Sequence, residues 1–161
     1  MARRDDGTSA LLGELRALYR TIDDALAGAT CDASTDCCRF GVTGREPYPT
    51  AIELAEVERA VRARGGIPKR RVLPVASERR CALLGDNGRC LVYASRPFGC
   101  RTFFCDRARG PVGPVDLPRD VVQDHARAIA ALSDRFAPAD PGPRPLSRAA
   151  TARGWDERRG K

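Results

Sequence analysis

The placement of the cysteines constrains this chain more than any other feature. All seven lie between positions 31 and 105 of a 161-residue sequence, and they form two groups. Their members are Cys31, Cys37 and Cys38 in the first group, and Cys81, Cys90, Cys100 and Cys105 in the second. Gly, Asp, Asn and Arg surround most of them, and these residues favour turns and loops over apolar helix faces. The sequence therefore predicts a domain built around a site that uses cysteine sulfur.

The expected redox compartment of the protein limits the possible roles of these cysteines. Nothing near the start resembles a signal peptide, and no stretch is long and apolar enough to span a bilayer. We therefore expect a cytoplasmic protein with no membrane partner. In a reducing cytoplasm, close cysteines are more often metal ligands or redox-active thiols than disulfides, and their odd number favours the same interpretation.

Charge is a weaker guide to partners. The formal net charge is +7, and almost all of the 28 basic residues are arginine. A nucleic-acid surface would combine arginine with exposed aromatic side chains, but aromatic residues make up only 6% of the chain. Nucleic acid therefore stays open as a partner but is not the favoured one.

Three stretches have the pattern of helices. Residues 9–27 place leucines at the three-and-four spacing of one helical face. Thr50 and Glu53 form a capping box that opens a second helix, which stops at Gly65. Residues 119–136 show a third apolar face. The Glu/Arg-rich outer face of the second helix is expected to be solvated.

Residues 81–93 predict a different local structure. Asn87-Gly88 separates two short apolar runs, and this dipeptide is the strongest short signal for a β-hairpin. Such a hairpin would bring Cys81 and Cys90 close across its two arms. The expected fold class is α+β and mainly helical, with about three helices packed around a cysteine-rich loop or β-hairpin layer that binds metal.

The domain limits follow from composition. Residues 1–8 are expected to be a flexible N-terminus, and residues 9–136 to be the cysteine-cluster metal-binding domain. From residue 137 onward Pro, Ala, Asp and Arg predominate, so residues 137–161 are expected to be a disordered basic tail. Trp155 is the exception within this tail, and it could dock on the domain or contact a partner.

Thiolate chemistry specifies the kind of site. Four thiolates complete the tetrahedral shell of zinc or fill the four terminal iron positions of a cubane cluster. Cys37 and Cys38 are adjacent, so either a loop turns both inward or only one is a ligand. Arg96 and Arg101 flank Cys100 and are candidate cofactor-binding residues, since they could offset the thiolate charge or donate hydrogen bonds to sulfur. The alternative is that both arginines are surface residues.

Three blocks carry a resemblance to a known family. They are residues 31–40, residues 81–93, and residues 96–105, which contain Arg96-Pro97 and Cys100-Arg101. Together they resemble the YkgJ-type cysteine-cluster proteins, a family named for a CxxCxxCC motif. The resemblance implies a domain that chelates zinc or iron through the seven cysteines. Ser34 stands where the family has its second cysteine, so two complete four-thiolate sites would need a ligand of another type.

His125 is the only histidine in the chain. Imidazole suits zinc and iron, so His125 could replace the missing thiolate. It lies on the apolar side of the third predicted helix, however, and the favoured interpretation is a packed, hydrogen-bonded histidine.

Three functions fit these features. The first is an iron-sulfur or mononuclear iron protein, with the metal ion or cluster as its partner and a protein or redox partner as a second candidate. The second is a structural-zinc module that binds a protein or nucleic acid. The third is a cytoplasmic thiol-redox protein. Metal chelation is favoured, with a slight preference for an iron-sulfur cluster because the cysteine spacings are irregular. No glycine-rich cofactor loop follows a strand, so enzymatic activity stays an open question.

Overall fold

A computed structural model describes residues 2–30, 35–68, 79–104 and 107–156. Within these ranges the chain forms six α-helices, two short 3-10 helices and one two-stranded antiparallel sheet. The α-helices are α1 (Ala2–Ala25), α2 (Phe40–Thr43), α3 (Ala51–Ala63), α4 (Phe98–Arg101), α5 (Arg119–Phe136) and α6 (Leu146–Ala152). The 3-10 helices span Asp36–Cys38 and Tyr93–Ser95, and the strands are β1 (Arg109–Gly110) and β2 (Gly113–Pro114). The prediction of a mainly helical chain with a minor β component is confirmed.

Helices α1, α3 and α5 form the frame of the molecule. Their facing sides share one apolar cluster, in which Leu15, Ile22, Ile52 and Ile129 are buried. Helix α5 has the predicted bounds. Helix α1 begins several residues before the predicted start at residue 9, because no proline stops the helical pattern there.

The capping box at the start of α3 is present as predicted. Glu53 Oε2 accepts hydrogen bonds from the Thr50 backbone N–H at 2.8 Å and from the Thr50 hydroxyl at 3.0 Å. At the other end of α3, Gly65 has a φ of 84°, a left-handed conformation that glycine adopts readily. Local signals alone therefore place both ends of this helix.

A second apolar cluster lies between α3 and the loop that carries two of the cysteines. Helix α6 closes it with Leu146 and Ala149, which are buried, and Trp155 packs against the cluster. The sequence predicted disorder here, whereas this part of the tail is helical and packed on the domain. Pro145 is compatible with the helix because it precedes the first turn, where a missing N–H costs nothing.

The predicted hairpin over residues 81–93 forms only in part. A single antiparallel bridge joins Leu84 to Cys90, without regular strands on either side. The N–H of Gly85 donates to the Arg89 carbonyl at 2.7 Å, and the Leu91 N–H donates to the Leu83 carbonyl at 2.8 Å. A turn just after Cys81 shortens the first arm, so Cys90 faces Leu84 rather than Cys81.

Candidate metal centre

Five of the seven cysteines lie in the described part of the chain, and all five are free thiols. They come from three segments: the 3-10 helix Asp36–Cys38 carries two, the loop of residues 79–92 carries two, and α4 carries one. The five are Cys37, Cys38, Cys81, Cys90 and Cys100. Cys31, Cys105 and Ser34 lie outside the described residues, so the predictions made for them stay predictions.

The 3-10 helix answers the question raised by the adjacent cysteines. Successive side chains in such a helix are about 120° apart, whereas in a strand they point in opposite directions. The Sγ atoms of Cys37 and Cys38 are 3.8 Å apart. Thr35, with a left-handed φ of 64°, starts this turn, and its carbonyl accepts from the Cys38 N–H at 2.8 Å. Both thiols therefore lie on the same side of the loop.

Backbone pairing brings the second cysteine group to the first. The Cys81 N–H donates to the Cys38 carbonyl at 2.8 Å, and an antiparallel bridge joins the next residues outward, Arg39 and Arg80. Cys38 and Cys90 pack against the apolar cluster that contains Cys81. The two sequence groups of cysteines are therefore neighbours in the fold.

The pKa values of Cys90 and Cys100 are affected by the neighbouring thiols. Burial raises the pKa of Cys100, and the nearby Cys38, Cys90 and Cys37 raise it further. Burial also raises the pKa of Cys90, although Arg96 acts in the opposite direction. Cys37 and Cys100 also line the same cavity, so Cys100 lies beside the first cysteine group.

The pKa of Cys38 is also shifted by its neighbouring thiols. The hydrogen bond with Cys37 lowers the pKa of Cys38, but the hydrogen bond with Cys81 and burial outweigh it, and together they raise the pKa to about 12. The thiol of Cys38 is therefore protonated at neutral pH in the metal-free protein.

The described side chains do not by themselves form a closed ligand set. Among residues 2–30, 35–68, 79–104 and 107–156, no group of three or more Cys, His, Asp and Glu side chains is arranged as a metal site. The donor chemistry nevertheless fits zinc or an iron-sulfur cluster, because thiolates are the preferred ligands of both. Two further cysteines of the sequence are outside the described residues.

Arg101 is almost completely buried, at 1% exposure, and its guanidinium is fully engaged. It donates to the carbonyls of Arg96 and Ala94, forms an ion pair with Asp23, and lies 3.9 Å from the centre of the Tyr19 ring. Its side chain makes no hydrogen bond to sulfur among the described residues. The alternative that Arg101 is a surface arginine is therefore wrong. Through these contacts, Arg101 holds the segment that leads to Cys100.

Arg96, the other arginine that flanks Cys100, acts electrostatically on a cysteine of the cluster. Its guanidinium stacks over Tyr93, 3.9 Å from the ring centre, and lies 3.6 Å from a carboxylate oxygen of Asp23. From this position it favours the charged form of Cys90. Arg96 could thus offset thiolate charge, and its role in cofactor binding stays a prediction.

Two buried glutamates of α3 were missed in the sequence. Glu53 Oε1 accepts from the backbone N–H of Phe98 at 2.7 Å and from the Tyr19 hydroxyl at 3.0 Å. It therefore fixes the start of α4, the helix that carries Cys100. The expectation of a solvated Glu/Arg face on α3 is wrong for Glu53 and Glu56, which are 3% and 1% exposed.

Glu56 joins α3 to two other parts of the chain. Its carboxylate accepts from the Ser95 hydroxyl at 2.8 Å, from Arg59 at 2.7 Å and from Arg16 at 3.1 Å. Burial raises the pKa of Glu56, but its hydrogen bonds with Arg59 and Ser95 and the charge of Arg16 outweigh burial, so the pKa is lowered. Apart from the capping box, the buried contacts of these glutamates left no signal in the sequence, because Tyr19, Ser95 and Phe98 are 34 to 45 positions away from them.

His125 is packed and hydrogen-bonded, as expected from its place on the apolar side of α5. Its Nδ1 donates to the Val121 carbonyl at 2.8 Å, and its ring stacks on Phe98 with 6.5 Å between ring centres. The favoured interpretation of this residue is confirmed.

Comparison with protein-family models, with curated proteins and with solved structures finds no match for this chain. The likeness to the YkgJ-type proteins accordingly stays an expectation from three sequence blocks. A search of the described helices finds none that is both long enough and apolar enough to cross a membrane. The case for function therefore depends on the geometry of the cysteines.

Proposed function

We propose that this protein chelates metal through its cysteine cluster, holding an iron-sulfur cluster or zinc. The observation that carries the proposal is the convergence of five free thiols from three chain segments, through one backbone pairing, one apolar cluster and one shared cavity wall. The ligands are drawn from Cys37, Cys38, Cys81, Cys90 and Cys100, together with Cys31 and Cys105. The YkgJ-type resemblance supports the same function.

The protonation state of the thiols supports a metal over a purely thiol-based function. Redox-sensing cysteines have lowered pKa values, since the thiolate is the reactive form. Here burial and neighbouring thiols raise the pKa of Cys100 and Cys90. A cation supplies the charge that such a site lacks, because it binds the deprotonated sulfurs and displaces their protons.

The surroundings of the thiols support a preorganised site. Glu53 and Arg101 hold both ends of α4, and the Cys81–Cys38 backbone hydrogen bond fixes the two cysteine groups side by side. When bound, zinc would supply a cross-link between these segments, and a cluster would in addition supply an electron-transfer centre. The irregular spacing of the ligands and the cation at Arg96 favour the cluster, since hydrogen bonds and charge near the sulfurs tune such centres.

One observation favours thiol redox chemistry as a second candidate. The sulfurs of Cys37 and Cys38 are 3.8 Å apart, and Cys37 is exposed. An oxidant that reached them would act on neighbouring thiols. This candidate predicts a stable, metal-free fold, so metal content separates it from chelation.

The first test is elemental analysis of the full chain, purified without oxygen and without an affinity metal. Iron with acid-labile sulfide and a brown colour would identify a cluster, whereas stoichiometric zinc in a colourless sample would identify a zinc site. Cys38→Ser and Cys100→Ser should lose most of the metal. Val42→Ser is the matched control, because Val42 is exposed in the neighbouring helix α2 and carries no ligand atom.

Metal content that is unchanged in both serine variants would place the ligands elsewhere. A protein that contains neither metal, and that takes up neither during anaerobic reconstitution, would overturn chelation in favour of the thiol-redox candidate.

A further inference from the structure

A cavity of about 620 Å³ opens beside the cysteines, and the proposed metal chelation gives no role to most of its wall. Cys37 and Cys100 form part of its wall, and residues 44–48, Arg79 and Phe103 form most of the rest. Its volume falls within the range of small-molecule sites, about 300–1,000 Å³. The cavity is thus large enough for a small organic ligand.

Of the two arginines on the cavity wall, Arg79 has a carboxylate partner among the described residues and Arg45 has none. Arg79 pairs with Glu46 at 2.9 Å, and the other oxygen of Glu46 accepts from the Ser147 N–H at 2.6 Å. Both oxygens of the Glu46 carboxylate therefore have a partner. The guanidinium of Arg45 lies 5.3 Å from the centre of the Phe103 ring, and no carboxylate of the described residues forms an ion pair with it. Within the described part of the wall, one positive charge therefore has no carboxylate partner.

Aromatic surface lies next to this charge. Phe103 is partly buried beneath Arg45, and Tyr48 is 59% exposed although its side chain is large and apolar. A flat ligand could cover these rings while its charged end meets the guanidinium. The cavity thus combines one cationic anchor with an apolar platform.

The number of positively charged groups available in the cavity indicates which type of anion it would bind. Phosphate groups carry close to two negative charges and are usually held by several cations or backbone N–H groups together. A carboxylate carries one charge and matches the planar fork of a single arginine. Among the described residues of the wall, Arg45 alone has a guanidinium without a carboxylate partner, and a single guanidinium favours a carboxylate.

We propose that this cavity binds a small organic monocarboxylate, with the carboxylate on Arg45 and its apolar body against Phe103 and Tyr48. Every contact in this proposal comes from protein side chains, so it does not depend on a bound metal. The ligand would lie against Cys37 and Cys100, at the solvent side of the cysteine cluster.

The test compares three probes of similar shape on the full chain, by NMR titration of the protein amides. Benzoate carries one negative charge, benzamide is its neutral counterpart, and phenyl phosphate carries a larger charge. We expect benzoate to bind about tenfold more tightly than benzamide, since a hydrogen bond to a charged group discriminates by that order. Arg45→Gln should abolish this preference.

The matched control is Arg127→Gln, which removes an exposed arginine of α5 remote from the cavity wall. This variant should retain the preference for benzoate. Arg45 is itself exposed, so its replacement should leave the circular dichroism spectrum unchanged.

Four results would overturn the proposal: equal affinity for benzoate and benzamide, an unchanged preference in Arg45→Gln, tighter binding of phenyl phosphate than of benzoate, or no binding of any probe at millimolar concentration. The titration is made on samples of measured metal content, with and without metal. Failure of carboxylate binding in both is therefore distinct from failure of metal chelation.

Discussion

The helical frame and the cysteine-bearing segments are held together in different ways. Helices α1, α3 and α5 are 13 to 24 residues long and share a continuous apolar cluster. The cysteines instead lie on a three-residue 3-10 helix, a loop with one isolated bridge, and the four-residue helix α4. Apolar burial stabilises the frame, whereas the cysteine segments have little regular secondary structure and are held by the second apolar cluster and by single hydrogen bonds.

Buried polar groups join the two regions. Glu53 reaches from α3 to the start of α4, and Arg101 reaches from α4 to Asp23 of α1. The frame can therefore position the cysteines without a metal, and we propose that a bound metal would hold their segments more firmly. The predictions below test this division of roles.

Removing the metal should have the largest effect, and it should be confined to the cysteine segments. We expect the amides of Cys81, Gly85 and Leu91 to exchange at least about a hundredfold faster, the factor expected when a ligand present at 100 times its Kd is lost. The amides of α5 should be unaffected. Hydrogen exchange with and without a chelator measures both sets, and an equal loss of protection throughout would contradict the division.

Arg101→Met should have the next largest effect and should damage both regions. It leaves two backbone carbonyls without their buried donor and removes one of the two arginines beside Asp23, which costs about 2–4 kcal/mol in the free energy of unfolding. Urea denaturation measures the loss. Arg127→Met on exposed α5 should change stability by less than about 0.5 kcal/mol, and a similarly small effect at Arg101 would show that its network does not join the two regions.

Glu56→Gln should cost about 2 kcal/mol at pH 7, since hydrogen bonds to a buried charge are lost while shape is kept. The pKa of Glu56 is lowered in the folded protein, so its contribution is complete above the unfolded value and is lost as the pH falls through the folded one. The stability difference between wild type and variant should thus shrink below about pH 4. A difference that grows at low pH would refute this assignment.

Thr50→Ala should have the smallest effect and should concern the frame alone. Loss of the N-cap side chain costs about 1 kcal/mol. Thermal unfolding measures this loss, and metal content should be unchanged. Loss of metal in this variant would mean that the start of α3 is coupled to the cysteines more strongly than the contacts of Glu53 imply.

The sequence predicted what depends on neighbouring residues. The bounds of α5 and the capping box of α3 both follow from short-range pattern, and both are present. The arrangement of Cys37 and Cys38 was left with two alternatives, because a 3-10 turn of three residues has no periodic signature.

What the sequence could not give depends on distant partners. Glu53 and Glu56 are buried because Tyr19, Ser95 and Phe98 bring hydrogen-bond donors to them from other parts of the chain. A charged residue in a helix otherwise predicts a solvated position. Helix α6 was missed for a related reason, since its small residues become a core face only against the second apolar cluster.

Cobalt(II) titration of the reduced, metal-free full chain tests most directly whether the converging thiols form a metal site. Tetrahedral thiolate coordination gives intense charge-transfer bands and strong visible bands, which hydrated cobalt lacks. We expect these bands to grow to saturation at about one equivalent and to weaken sharply in Cys38→Ser and Cys100→Ser. A spectrum that remains that of hydrated cobalt throughout the titration would contradict the proposed metal centre.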